Sequence, residues 1–149
     1  MSHKKQNELL LQPEHNRFVT FPIKFNSTWK MYKKAVACFW TPEEIDFSKD
    51  MNDWEKLNDN EKHFIKYILG FFAASDGIVN LNIMDRFLQE VELMEARYCY
   101  IFQMMIENIH SETYALLLDT YIKDEKEKKK LLNSIKTIPC IKRKAEWAL

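Results

Sequence analysis

Apolar residues along this chain recur mostly every three or four positions, the period of one face of a helix. The pattern is strongest in two long stretches. The first runs through Phe64, Ile68, Phe72, Val79, Ile83 and Phe87, and the second extends from about Ala96 to Ile122. Asn58-Asp59-Asn60-Glu61 predicts the start of the first. A side-chain oxygen at the cap and a glutamate three residues later satisfy the free N–H groups of an opening turn. Thr41-Pro42-Glu43-Glu44 carries the same signal, with proline at the first helical position, and predicts another helix start. Trp29 to Phe39 also shows helical spacing. Residues 1–28 are polar and then extended through Phe18-Val-Thr-Phe-Pro-Ile-Lys-Phe25. They are expected to wrap as an arm over a helical domain of residues 29–149. The charge run Lys123 to Lys130 reads as a solvated connection and helix face, and two amphipathic stretches follow, split by Pro139.

Polar residues interrupt the apolar pattern at informative places. Asp76 lies on the stripe Phe72, Asp76, Val79, Ile83, spaced four, three and four, and so faces the core. On the second long helix, Glu107, His110 and Tyr114 share a side, because steps of three and seven residues at about 100° each return to nearly the same direction. One unbroken helix would hold Asp76 and Glu107 about 46 Å apart. A chain reversal near Val91 and Glu92, in the polar stretch Gln89-Glu-Val-Glu92, would pack the two helices antiparallel and bring those residues level.

Two carboxylates and an imidazole in an apolar setting make a mixed oxygen and nitrogen donor set, hospitable to iron, manganese or zinc. Each residue also has a plain structural reading. Glu107 and His110 could form a hydrogen-bonded pair, and Asp76 could cap a kink beside Gly77. Tyr114 could be an ordinary core tyrosine, and Trp40 a packing residue before a cap. A lone E-x-x-H arises by chance in many helices; an inward aspartate on a neighbouring helix is what makes it specific.

Composition narrows the class. A hydrophobic content of 46%, with four Trp and ten Phe, suits a packed core, and only two Gly and four Pro favour few, long helices. The 22 basic residues are balanced by 22 acidic ones, which leaves no net field to draw nucleic acid or an anionic membrane. No Gly-rich phosphate loop is present. The start lacks the apolar core of a signal peptide, no apolar run approaches 18 residues, and Cys38, Cys99 and Cys140 form no C-x-x-C pair. A soluble protein of the reducing cytoplasm is expected.

Longer motifs carry a resemblance. Phe71-Phe-Ala-Ala-Ser-Asp-Gly-Ile-Val-Asn80, Glu95-Ala-Arg97, Glu107-Asn-Ile-His-Ser-Glu112 and Asp119-Thr-Tyr-Ile-Lys123 are similar to the small (R2) subunit of class I ribonucleotide reductase. Arg17-Phe-Val-Thr-Phe-Pro-Ile23, Met31-Tyr-Lys-Lys-Ala35, Phe39-Trp-Thr41, Asp46-Phe-Ser-Lys-Asp50 and Lys144-Ala-Glu-Trp-Ala-Leu149 resemble its eukaryotic branch. The resemblance implies an all-α, ferritin-like bundle that forms a homodimer and works with a large catalytic subunit. It implies a dinuclear iron centre, with manganese as the other metal such ligands accept. Asp76, Glu107 and His110 would ligate the first iron, Tyr114 would carry a stable radical, and Trp40 would lie on the route by which that radical is transferred. The family's centre is oxidised by dioxygen, and the large subunit uses the radical to convert ribonucleotides to deoxyribonucleotides.

The family also has a second half-site, with two more glutamates and a second E-x-x-H, and a C-terminal docking tail. Neither occurs before Leu149. The expectation is therefore an N-terminal portion with about half of the bundle, inactive alone, whose uncovered apolar faces favour aggregation. Two other readings stay open. One is a truncated, non-catalytic relative serving as an assembly or regulatory partner. The other is a different ferritin-like di-iron oxidase, against which the Trp40 region and the arm from Arg17 argue.

Overall fold

The computed structural model describes residues 8–149, and every regular element among them is helical. Residues 1–7 of the expected arm lie outside the described residues. Two short 3-10 turns, Leu9–Leu11 and Pro13–His15, precede α1 (Asn26–Ala37). Then come α2 (Asp50–Trp54) and the long α3 (Asp59–Asn82), which continues through a π-helical segment, Ile83–Phe87, and a last turn, Leu88–Glu90. After a break, α4 (Met94–Tyr121) is followed by α5 (Glu125–Leu132), α6 (Ser134–Thr137) and α7 (Pro139–Ala148).

The start of α3 is set as its local sequence dictates. Asn58 Oδ1 accepts the N–H groups of Asn60 and Glu61 at 2.9 and 3.0 Å, and the Glu61 carboxylate accepts the Asn58 N–H at 2.8 Å. The other expected start fails to propagate. Glu44 does accept the Thr41 N–H at 3.1 Å, but only the single 3-10 turn Pro42–Glu44 forms before Ile45 returns to extended backbone. Immediately downstream the Asp46 carboxylate accepts the Ser48 N–H at 2.9 Å, a local turn that competes with a helix. In the charge run, Asp124 caps α5 by accepting the Glu127 N–H at 2.6 Å. The reversal falls at Val91, whose backbone is extended. There the Leu10 carbonyl accepts the N–H groups of Glu92 and Leu93 at 2.7 and 3.3 Å.

Two compact units interleave along the chain. One comprises the residues up to Phe39 with Asn80–Ile106, the other Trp40–Val79 with Glu107–Leu149. In the first, Val91, Leu93 and Ala96 form a small core against Leu10, Leu11, Phe25 and Tyr100. Glu95, fully buried, takes the Arg17 guanidinium at 2.7 Å and the Lys24 N–H at 2.8 Å, which ties the extended segment to the start of α4.

In the second unit Trp54, Leu69, Leu118, Ile122, Leu131, Ile138 and Ile141 form the core. Its parts of α3 and α4 run antiparallel: Asp76 lies level with Glu107 and His110, Phe72 stacks on Tyr114, and Leu69 shares the core with Leu118. Gly70 lets α5 approach closely. A Cβ there would lie 3.2 Å from the Leu131 carbonyl oxygen, and the Ser134 hydroxyl donates to the Gly70 carbonyl.

The first apolar stripe is only partly core-facing. Leu69 and Gly70 are buried under α5, whereas Phe64 is 65% exposed and Ile68 and Phe72 are both 38% exposed. Within Asp59–Glu90 an 18-residue window reaches a mean hydropathy of 1.3, enough by length and composition to cross a membrane. Its buried Asp76 and its contacts with α5 suit a core helix better than lipid.

Candidate metal centre

Asp76 on α3 and Glu107 and His110 on α4 present one ligand atom each, all within 4.8 Å of one another. His110 Nδ1 lies 3.0 Å from Glu107 Oε2. Asp76 Oδ1 has a long contact of 3.5 Å with the Ser75 hydroxyl, while its buried Oδ2 has no hydrogen-bond partner. A buried carboxylate oxygen left without a partner is costly. Burial, and next the negative charge of Glu107, push the Asp76 carboxyl up from 3.8 to about 6, with His110 opposing them. A bound cation would offset both effects, and the donor set of two carboxylates and an imidazole fits a divalent transition metal.

Tyr114 follows His110 by one turn, with ring centroids 6.4 Å apart, and stacks on Phe72 at 5.3 Å with ring planes 17° apart. Burial, then the charges of Asp76 and Glu107, raise its phenol above the ordinary value, so it keeps its proton at neutral pH. Trp40 tilts against His110 with centroids 5.8 Å apart. The structure thus gathers all five residues singled out from sequence within one compact unit.

The surroundings are wetter than the periodicity suggested, since the side chains of Glu107 and His110 remain 16% and 33% exposed. The plain structural readings fare unevenly. Glu107 and His110 do form a hydrogen-bonded pair, but α3 passes through Gly77 without interruption, so Asp76 caps no kink.

Sequence reasoning missed the partner of Tyr114, although Phe72 had been placed on the right stripe. It also missed a cluster two turns further along α4. The Tyr121 hydroxyl donates to Asp50 at 2.6 Å, and its ring stacks on Trp54 at 4.9 Å. The seven-residue step from Tyr114 puts Tyr121 on the same helix face; nothing local pointed to Asp50 or Trp54.

The family described as "Ribonucleotide reductase, small chain" matches residues 17–149. The ribonucleoside-diphosphate reductase small chain of Encephalitozoon cuniculi is 60% identical over 149 residues, all of this chain and 46% of that protein. The Monkeypox virus small chain is 62% identical over 141 residues, 95% of this chain and 44% of the viral protein. The chain thus spans under half the length of these curated relatives. Among solved structures, the ribonucleotide reductase Rnr4 homodimer of Saccharomyces cerevisiae superposes with a TM-score of 0.78 at 39% identity, over 95% of this chain and 45% of that one. Dimanganese(II)-NrdF of Streptococcus sanguinis, 20% identical, shares the fold with a TM-score of 0.78 over 89% of this chain and 46% of its own.

Proposed function

The chain belongs to the ribonucleotide reductase small-chain family, and on that premise we propose that Asp76, Glu107 and His110 hold one ion of a dinuclear metal centre in a ribonucleoside-diphosphate reductase small subunit. Iron is the metal proposed, with manganese as the alternative. Such a centre supplies oxidising equivalents drawn from dioxygen. The chain's own residues do the rest. Asp76 offers its unpartnered Oδ2, Glu107 a carboxylate oxygen and His110 a ring nitrogen, and the two negative charges match a cation. Tyr114, one turn on and with one ring face covered by Phe72, is the side chain that would hold the radical such a centre could generate. Trp40, against the His110 ring, lies on the path between this radical and a large catalytic subunit, where ribonucleotides become deoxyribonucleotides. A second copy of the small subunit is the further partner proposed.

The observation that carries the reading is the buried, unpartnered Asp76 oxygen facing the Glu107–His110 pair. Calorimetric titration of the chain with Fe(II) under anaerobic conditions, and separately with Mn(II), tests it. Asp76→Asn should weaken binding by more than the ~10-fold typical of losing an outer-shell partner. Equal affinity in wild type and variant would sink the ligand assignment.

A further inference from the structure

Asp50, Trp54 and Tyr121 form a second redox-capable constellation, separate from the three candidate metal ligands. The Tyr121 hydroxyl donates to Asp50 Oδ2 at 2.6 Å, short for a hydrogen bond and typical of an ionised acceptor. The Trp54 ring lies on the Tyr121 ring at 4.9 Å with planes 11° apart. Trp54 is buried, Tyr121 and Asp50 are half-buried, and the three line one cleft with Asp53, Leu57 and Ile65. A tyrosine bonded to a carboxylate and stacked on an indole is more than packing requires. The carboxylate can receive a proton, and the stacked ring is a second electron-rich group beside the first.

We propose that Tyr121 is a proton-coupled one-electron donor, with Asp50 as its proton acceptor and Trp54 as its stacking partner, able to take an oxidising equivalent from a phenoxyl radical at Tyr114. In this step an electron leaves Tyr121 and its phenolic proton moves along the hydrogen bond to Asp50, leaving a neutral phenoxyl radical and a carboxylic acid. The Tyr114 radical gains the electron together with a proton from solvent and returns to phenol. Seven residues of helix separate the two tyrosines by about 10 Å along the axis, on one face. Burial, then the hydrogen bond to Asp50 and its charge, raise the Tyr121 phenol well above the ordinary range. The proton therefore stays on Tyr121 until an electron is removed, and proton and electron must leave together. The Tyr114 source rests on the function proposed above; the donor chemistry of Tyr121 does not.

An external oxidant separates the two. The metal-free chain is oxidised with photogenerated tris(bipyridine)ruthenium(III), and the radical is trapped by freezing for electron paramagnetic resonance. Wild type should show a phenoxyl signal, and replacing Tyr121 by difluorotyrosine should add fluorine hyperfine splitting to it. That variant keeps the ring and the hydroxyl, so it also guards against failure to fold. Asp50→Asn should slow radical formation by about a hundredfold, the lower end of what a positioned proton acceptor contributes, and diminish the solvent deuterium effect. An unsplit signal in the fluorinated chain, or an Asp50→Asn rate and isotope effect equal to wild type, would overturn the proposal. Neither result bears on whether Asp76, Glu107 and His110 bind metal.

Discussion

Asp76 differs from the other acidic residues in having a buried oxygen without a partner and a second carboxylate close by. Its carboxyl therefore titrates near 6 in the folded chain against 3.8 for an ordinary aspartate. The folded state holds this proton more tightly than the unfolded one, so the contribution is fully present below 3.8 and is lost as pH rises through about 6. Across that window the metal-free chain should lose on the order of 3 kcal/mol from this residue. Urea denaturation at a series of pH values checks it. Asp76→Asn, which cannot ionise, should flatten this part of the profile and be the more stable protein at pH 7 without metal. A wild-type profile unchanged by the substitution would contradict the account of the Asp76 environment. The carboxylate's place on the apolar stripe was legible from spacing alone. That Oδ2 would find no donor was not, because this depends on every side chain arriving from α4.

At the scale of elements, the two glycines of α3 make a contrast. Both are helical, and glycine costs a helix interior about 1 kcal/mol relative to alanine through backbone entropy. At Gly77 an added Cβ meets nothing within 4 Å, so Gly77→Ala should raise stability by most of that amount. At Gly70 the Cβ would press on the Leu131 backbone carbonyl at 3.2 Å, and a backbone atom cannot swing aside as a side chain can. Gly70→Ala should therefore fail to stabilise, and any shift of α5 also disturbs the Ser134 bond to the Gly70 carbonyl. Thermal unfolding of both variants reads the difference, and equal shifts would mean that α5 does not sit as closely as described. Both glycines look alike in sequence, since each interrupts an apolar helix. The same limit explains the two capping signals. Asn58 to Glu61 opened 24 helical residues, whereas Thr41 to Glu44 opened one 3-10 turn, because the residues downstream decide whether a nucleated turn propagates.

For the whole molecule, acid stability should be governed by Glu95. Burial alone would raise its carboxyl, but Arg17 and the N–H groups of Lys24 and Phe25 hold it down at about 2, below the ordinary 4.5. A depressed carboxyl adds stability above 4.5 that is lost as pH falls toward 2, the opposite sense to Asp76. The two windows overlap from 3.8 to 4.5, so the metal-free chain should be most stable near pH 4, where the opposing slopes cancel. Glu95→Ala leaves the Arg17 guanidinium without its main partner and should cost about 3–5 kcal/mol. Limited trypsin digestion should then cleave after Arg17 faster than in wild type; unchanged cleavage would mean that the extended segment is held by other contacts.

Periodicity, cap chemistry and residue type determined that this chain is helical and where its two long helices begin. They also picked out the acidic, imidazole and phenolic residues that share faces, and the family motifs were legible as they stood. Those features are local, spanning a few turns of one helix. The tertiary structure alone decided which face meets which: Asp50 with Tyr121, Arg17 with Glu95, and Phe72 over Tyr114. It also left Phe64 and Ile68 facing outward although their spacing matched the core stripe. The physical reason is that a helix's own sequence sets its period and ends, whereas the burial and partner of each side chain depend on elements brought against it from about 40 to almost 80 residues away.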